Sequence, residues 1–540
     1  MASNGPVQQP GANGDVKNAE TPTTAAQRQV NLQRIRDQAQ RLKGELHENL
    51  NKHLDELFES FVAEVELIEQ GSTSNGFPVS SKSVIIKEES LNKHKSRKDG
   101  DLPDKVFVNR RSVLTELFEI NHIRTIYHIF VAILVVFSLN TIIFDWVEQG
   151  RLVLDFDLIQ WGLGKLPKVM ALWVCMKLST LLVVYPAFYY WSNNRVPGKP
   201  RLMDYIWLVL YILYECLFLV LPIKYVTENE LPPASTLIIA CEQLRLCMKT
   251  HAFVRTNMVR LLNHKKDDSK DSEGDEMPTS DSRCPGFSKY LYFLFAPTLI
   301  YRDSYPRTHS IRWKYVVSNF TQVLACLMYT YYIFERFCIP YFRKFNKDHV
   351  TPKALMLSAF GCMLPGTLVL FIGFFAILHS WLNAFAEMLR FGDRLFYKDW
   401  WNSTTFSNYY RTWNVVVHDW LYTYIYKDFC RLFGHQNRAA AMALVFLISA
   451  VFHEYVLIIS FGFFYPVLFV MFAGAGFGFI FLTDKGSSRS WNVFLWVALF
   501  IGNGLLMCLY SMEWYARKNC PVNSDSFVDY LIPRSWTCMI

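Results

Sequence analysis

Apolar runs long enough to cross a bilayer recur in this chain from about residue 126 onward, and no other feature restricts its fold as strongly. In hydrocarbon every backbone N–H and C=O must find a partner inside the chain, so only helices or closed barrels can span. The runs have helix length, which leads us to expect an all-α polytopic bundle. Candidate spans are 126–144, 169–191, 205–223, 234–250, 314–338, 355–378, 440–462, 464–482 and 491–511, about nine crossings. The fourth is the weakest, because it carries Glu242 and Arg245. With 51% hydrophobic residues in a chain of 540, the surplus over what a soluble core needs lies in these runs.

The amino-terminal part is different in kind. Residues 1–25 are rich in Gly, Pro, Asn, Thr and Ala and are expected to be disordered. Across 26–70, Leu32, Ile35, Ala39, Leu42, Leu46, Leu50, Leu54, Leu57, Phe61, Val65 and Ile68 recur at steps of three and four, the pattern of an amphipathic helix. Its near-heptad stripe points to self-association; a helix lying on the membrane or packed on its own domain is the alternative. Residues 71–120 read as a polar cytosolic linker and 121–540 as one membrane domain. The first hundred residues contain no apolar core segment, so no cleavable signal peptide is expected and the first span would serve as the targeting signal.

Charge narrows the options further. The net charge of +8 is modest, and the basic residues sit beside apolar segments rather than on one face with interleaved aromatics, which argues against nucleic acid as a partner. Lys and Arg in the short loops place the amino terminus, 192–204, 251–313 and 379–439 in the cytosol. A loop with Arg336, Arg343, Lys344 and Lys347 disagrees and is outvoted. Nine spans then put the carboxyl terminus in the lumen. Most of the 12 cysteines lie in or near spans as packing residues, whereas Cys520 and Cys538 follow the last span and are expected to form a disulfide there. The sequon at Asn402 falls on the cytosolic side and should stay unmodified.

The chemistry concentrates between Phe385 and Ser460. The segment 379–429 is too aromatic for a solvated loop and too charged for a crossing, so short helices at the cytosolic face are expected. Trp400, Trp401, Tyr409, Tyr410, Trp413 and Trp420 read as interfacial anchors. Among them stand Asn408, Arg411, Asn414, His418, Tyr426 and Lys427, donors and cations suited to a phosphorylated, ring-bearing molecule at a membrane entrance. Downstream, VFLISAVFHEYVLIIS puts His453 and Glu454 at hydrocarbon depth, where an ionisable group is costly. His453 reads either as a structural hydrogen-bonding group or as a general base near neutral pH. Leu457 four residues on rules out an HExxH zinc site, and no metal site is expected. Glu454 points about 100° away and reads as a packing partner. GAGFG at 474–478 suits close helix packing, not a dinucleotide loop.

FYKDWWN (Phe396, Tyr397, Lys398, Asp399, Trp400, Trp401, Asn402), YYRTWNVVVHDW and SAVFHEY together closely resemble the membrane-bound O-acyltransferase family, and within it the sterol O-acyltransferases. YLYFLFAPTLIYRDSYPRT at 290–308, HSWLNAFAEMLRFGD at 379–393 and GFFYPVLFV at 462–470 extend the resemblance from about residue 105 to the carboxyl terminus. The sister diacylglycerol acyltransferases look like FYREWWN and WNIPVHKW, so Lys398-Asp399 and Val415-Val416 favour the sterol branch, with the diacylglycerol branch as the alternative. A non-enzymatic multi-spanning transporter or a sterol-binding scaffold is the remaining reading.

The resemblance implies transfer of a long-chain fatty acyl group from acyl-CoA to the 3β-hydroxyl of cholesterol or a related sterol in the endoplasmic reticulum membrane. It implies no cofactor, acyl-CoA being a co-substrate, and a homo-oligomer, dimer or tetramer. His453 takes the place of the catalytic histidine and Asn414 that of the asparagine beside it. Asn408, Arg411, Asn414, His418, Tyr426, Arg438 and Ser449 would line the acyl-CoA site, with Arg438 standing where Lys is common.

Overall fold

The computed structural model describes residues 104–150, 157–195, 200–263, 284–343, 345, 351–484, 488–520 and 531–537. The expected 26–70 helix, the segment 1–25, most of the 71–120 linker and Cys538 lie outside the described residues.

Helix is the dominant structure. The principal elements are α1 (Val113–Leu117), α2 (Asn121–Gln149), α3 (Leu158–Asn194), α4 (Leu202–Glu228), α5 (Pro233–Asn263), α6 (Phe287–Phe295), α7 (Trp313–Ile333), α8 (Pro352–Met388), α9 (Phe406–Trp413), α10 (Val415–Leu421), α11 (Lys427–Phe433), α12 (Arg438–Phe461), α13 (Val467–Thr483), α14 (Ser490–Asn519) and α15 (Arg534–Thr537). Among the described residues β-type pairing is limited to two isolated bridges, Arg110 with Asp393 and Arg307 with Phe391. Among the described residues six helices, α2, α3, α4, α8, α12 and α14, are long and apolar enough to cross a membrane. The spans expected at 234–250 and 314–338 are helical but more polar, and the one at 464–482 forms the shorter α13.

What these helices show to the outside explains their composition. Val147 of α2 is 76% exposed and Leu182 of α3 is 68% exposed, and the outer faces of α2 and α4 carry little else than such residues. Apolar surface of this extent is stable against lipid and not against water.

The charges of α5 are neutralised inside the bundle. Glu242 pairs with Arg245 and with Lys177 of α3, while Arg245 donates to the Leu294 carbonyl and Lys249 to those of Phe293 and Ala296. These bonds fasten the carboxyl end of α6, whose last carbonyls have no helical donor. Elsewhere, α8 and α14 cross at close range: a Cβ on Gly366 would stand 2.7 Å from the Asn503 carbonyl oxygen, so a side chain there would separate the two backbones.

The end of the expected linker does not hang free. Arg110 forms a two-pronged ion pair with Asp393 and the Val108 N–H donates to the same carboxylate at 3.4 Å. The Tyr397 hydroxyl accepts from the Leu114 N–H at 3.3 Å. Residues 104–117 therefore lie along the aromatic segment that carries the candidate site.

Candidate active site

FYKDWWN acts as a bracket rather than as a set of reactive groups. The Lys398 N–H donates to the Thr412 carbonyl at 2.8 Å and the Val415 N–H to the Phe396 carbonyl at 2.9 Å, so Asn414 is held between two backbone bonds. Trp400, 1% exposed, packs at centroid distances of 4.6 Å from Trp413, 5.2 Å from Phe374 and 5.7 Å from Trp496. Trp400, Tyr409 and Trp420 are buried, which corrects their reading as interfacial anchors: Trp400 and Tyr409 pack the core between α8, α9 and α14, and Trp420 packs against α5, its Nε1 donating to the Met248 carbonyl at 2.8 Å. Tyr397 is buried against His379, its hydroxyl 2.6 Å from Nδ1. Asp399 and Asn402 remain at the surface.

Asn414 is the break between α9 and α10. Its φ of −135° and ψ of 86° end one helix, and its Oδ1 caps the next by accepting from the Val417 N–H at 3.2 Å. The carboxamide oxygen is thereby occupied, and Nδ2 has no hydrogen-bond partner among the described residues.

His453 lies on α12 with its ring exposed. Nδ1 stands 2.7 Å from the Ser449 carbonyl oxygen, with the Ser449 hydroxyl at 3.4 Å. A carbonyl only accepts, so Nδ1 carries a proton, and in a neutral ring Nε2 is then the acceptor. The ring stacks on Phe472 at 5.3 Å, and Phe472 in turn meets Tyr410 of α9 at 5.3 Å. Tyr410 and Phe472 thus join the His453 and Asn414 elements into one wall, although no hydrogen bond links the two residues themselves among the described residues. Gly476 makes room for this: a Cβ there would overlap the Tyr410 hydroxyl. Gly474 and Gly478 meet open space, so only one of the three glycines serves close packing. Next to His453, Glu454 is buried and its Oε2 accepts from the Phe469 N–H at 3.1 Å.

Of the remaining candidates, His418 and Tyr426 share one row of rings. The rings of His418, Tyr422 and Tyr426 form a stacked ladder, at 6.3 Å and 5.6 Å with interplanar angles of 9° and 17°. Burial raises the Tyr426 hydroxyl pKa most, against the lowering fields of Arg438 and Arg411, which places both cations beside that ladder. Arg411, Arg438 and Asn408 are exposed, and the Asn408 amide donates to the Ser403 hydroxyl at 2.9 Å. Helical rise puts His453 about 22 Å along α12 from Arg438. Lys427 differs from expectation: its side chain is 3% exposed and its ammonium is bound by Asp104 at 2.5 Å, so it is not a free cation at the mouth. Lys105 pairs with Asp419, which also takes His418 Nδ1 at 3.5 Å. Sequence reasoning missed Asp104 and Lys105 because nothing in a polar linker marks two residues that return more than 300 positions later.

Among the described residues no group of three or more His, Cys, Asp or Glu side chains is arranged to hold a metal. Cys520 is disulfide-bonded, ten other cysteines are free thiols, and the expected partner Cys538 lies outside the described residues.

The comparisons with known proteins agree with this geometry. The family model for membrane-bound O-acyltransferases matches residues 173–512, a range that includes Asn414 and His453. Sterol O-acyltransferase 1 of Mus musculus is 48% identical over 486 residues, 89% of this chain and 88% of its own length. Sterol O-acyltransferase 1 of Chlorocebus aethiops is 46% identical over 505 residues, 93% and 89% of the two chains. Sterol O-acyltransferase 2 of Homo sapiens is 46% identical over 435 residues, 80% of each chain. This chain therefore belongs to the membrane-bound O-acyltransferase family.

Proposed function

We propose that this chain is an acyl-CoA:sterol O-acyltransferase in which His453 is the general base and Asn414 the donor to the reacting carbonyl. The observation that carries the mechanism is the Ser449 carbonyl on His453 Nδ1, which leaves Nε2 as an acceptor on an exposed ring within an apolar helix. A sterol hydroxyl is a weak nucleophile at neutral pH, so Nε2 takes its proton as the oxygen attacks the thioester carbon. The Asn414 Nδ2 donates to the oxyanion that forms; a donor of this kind contributes on the order of 10²- to 10³-fold in rate. Collapse restores the carbonyl, expels the CoA thiolate, and returns the proton from Nε2 to sulfur. The thioester is activated already, so the residues present complete the reaction without a covalent acyl-enzyme.

The same arrangement supports the proposed acyl-CoA residues. The stacked His418–Tyr422–Tyr426 ladder suits a planar base, and Arg411 and Arg438 suit phosphates. Asn408 and Ser449 extend this lining toward the reacting centre. Residence in hydrocarbon admits the sterol from lipid and keeps water from the thioester. We place the enzyme in the endoplasmic reticulum membrane with its amino terminus cytosolic and its carboxyl terminus lumenal, a side on which the Cys520 disulfide is stable. Cys538 is its proposed partner. The stripe from Leu32 to Ile68 supports a homo-oligomer, a dimer or a tetramer. The test is purified protein in detergent with labelled oleoyl-CoA, offered cholesterol or diacylglycerol. Cholesteryl ester should form in large excess; triacylglycerol as the main product would assign the chain to the sister branch.

A further inference from the structure

Three helices are joined at one buried side-chain amide. Gln243 of α5 is 1% exposed, and its Nε2 donates to the carbonyls of Phe218 at 2.7 Å and Leu219 at 2.9 Å, both in α4. Pro222 lies inside α4 and has no N–H, so the Phe218 carbonyl lacks its donor four residues on. Lipid supplies no water to replace it, and the Gln243 amide does so. With Nε2 committed to α4, Oε1 faces α12 and accepts the Tyr455 hydroxyl at 2.8 Å. That hydroxyl also lies 3.3 Å from the Leu219 carbonyl. Tyr455 follows His453 by two residues, about 200° around the helix. The amide therefore grips α12 on the side away from the one on which the base opens. Glu454 points in a third direction, toward Phe469 N–H and the Tyr510 hydroxyl.

We infer that Gln243 and Tyr455 are positioning residues for the base: through α12 they set the rotation and depth at which His453 meets the reactants. Pro222 provides the open carbonyl on which the link is anchored. This inference rests on the reading of His453 as general base. Cutting the link removes the hold on the Tyr455 side of α12 and leaves that of Glu454, so the helix can shift slightly, and a displacement of about 1 Å at the reacting group can cost on the order of 10²-fold in rate. The headgroup ladder lies on α10 and the segment after it and does not depend on the amide, so acyl-CoA binding should survive.

The test compares full-length protein in detergent with Tyr455→Phe, Gln243→Met, the double variant and His453→Ala. The readouts are kcat, KM for oleoyl-CoA, and the fraction of monodisperse folded protein. We expect kcat to fall by about 10-fold or more in each single variant, with KM changed by less than about 2-fold. The double variant should be no slower than the slower single one, because both changes cut the same link. His453→Ala should be inactive. Wild-type kcat in Tyr455→Phe beside an inactive His453→Ala overturns the positioning role and leaves the base in place. An active His453→Ala removes the base and this inference with it. A kcat loss that only follows the loss of folded protein, or an additive double variant, assigns the pair to packing and overturns the inference.

Discussion

Replacing Asn414 separates the cap made by its Oδ1 from the donor role proposed for its Nδ2. Oδ1 caps α10 through the Val417 N–H, and Nδ2 is the proposed donor to the reacting carbonyl. Asn414→Ser keeps a capping oxygen, and Ser and Asn are nearly equivalent caps, so stability should change by less than about 0.5 kcal/mol. It removes the amide donor, so kcat should fall on the order of 10²- to 10³-fold, equivalent to about 3–4 kcal/mol of transition-state stabilisation. Asn414→Ala loses both, and adds about 1 kcal/mol of destabilisation to the same kinetic loss. Labelled cholesteryl oleate formation measures the first quantity, and thermal unfolding by intrinsic fluorescence in detergent the second. Near-normal turnover in Asn414→Ser would refute the donor role. Equal destabilisation in both variants would refute the cap.

Three further outcomes follow from the geometry. Burial is the largest influence on Asp104 and Asp419 and raises both carboxyls, but Lys427 at the first, and His418 with Lys105 at the second, hold each below its ordinary value. A depressed carboxyl contributes stability above its unfolded pKa and loses it as pH falls through the folded one. Proteolytic cleavage near residues 104–117 should then be constant from about pH 6 to pH 8 and rise only below about pH 4; release near neutrality would contradict this. Gly476→Val drives a side chain into Tyr410 and should destabilise by about 1–3 kcal/mol with a loss of turnover, and an unchanged variant would show that the Tyr410–Phe472 wall yields freely. Cys520→Ser should lower stability by about 2–4 kcal/mol, and peptide mapping without reductant should recover Cys520 joined to Cys538; a different partner would overturn that pairing.

Much of this was readable from residues because bilayer burial writes strong patterns. Apolar runs marked the α2, α3, α4, α8, α12 and α14 helices, and a lone imidazole among Val, Ile and Phe singled out His453 as the proposed base. Composition alone says less about α5, where Lys177 and the carbonyls of α6 satisfy charges that argue against a buried helix. The rings of FYKDWWN could not be sorted into anchors and core, since a Trp at an interface and one packed against Phe374 look alike in a string. Likewise the cap on Val417, the bracket from 396–398 to 412–415, and the ion pairs of Asp104 and Lys105 are contacts whose partners carry no periodic signal. Gln243 is the extreme case: a polar residue in an apolar helix becomes intelligible only when Pro222 and Tyr455 stand on either side of it.

The central claim is that one imidazole nitrogen makes an alcohol reactive toward a thioester inside the membrane. Single-turnover formation of labelled cholesteryl oleate by His453→Gln, with oleoyl-CoA binding measured on the same preparation, addresses it most directly. Binding should stay within about 2-fold of wild type while ester formation falls on the order of 10²- to 10⁴-fold, the contribution expected of a general base. Ester formed at the wild-type rate would contradict the account.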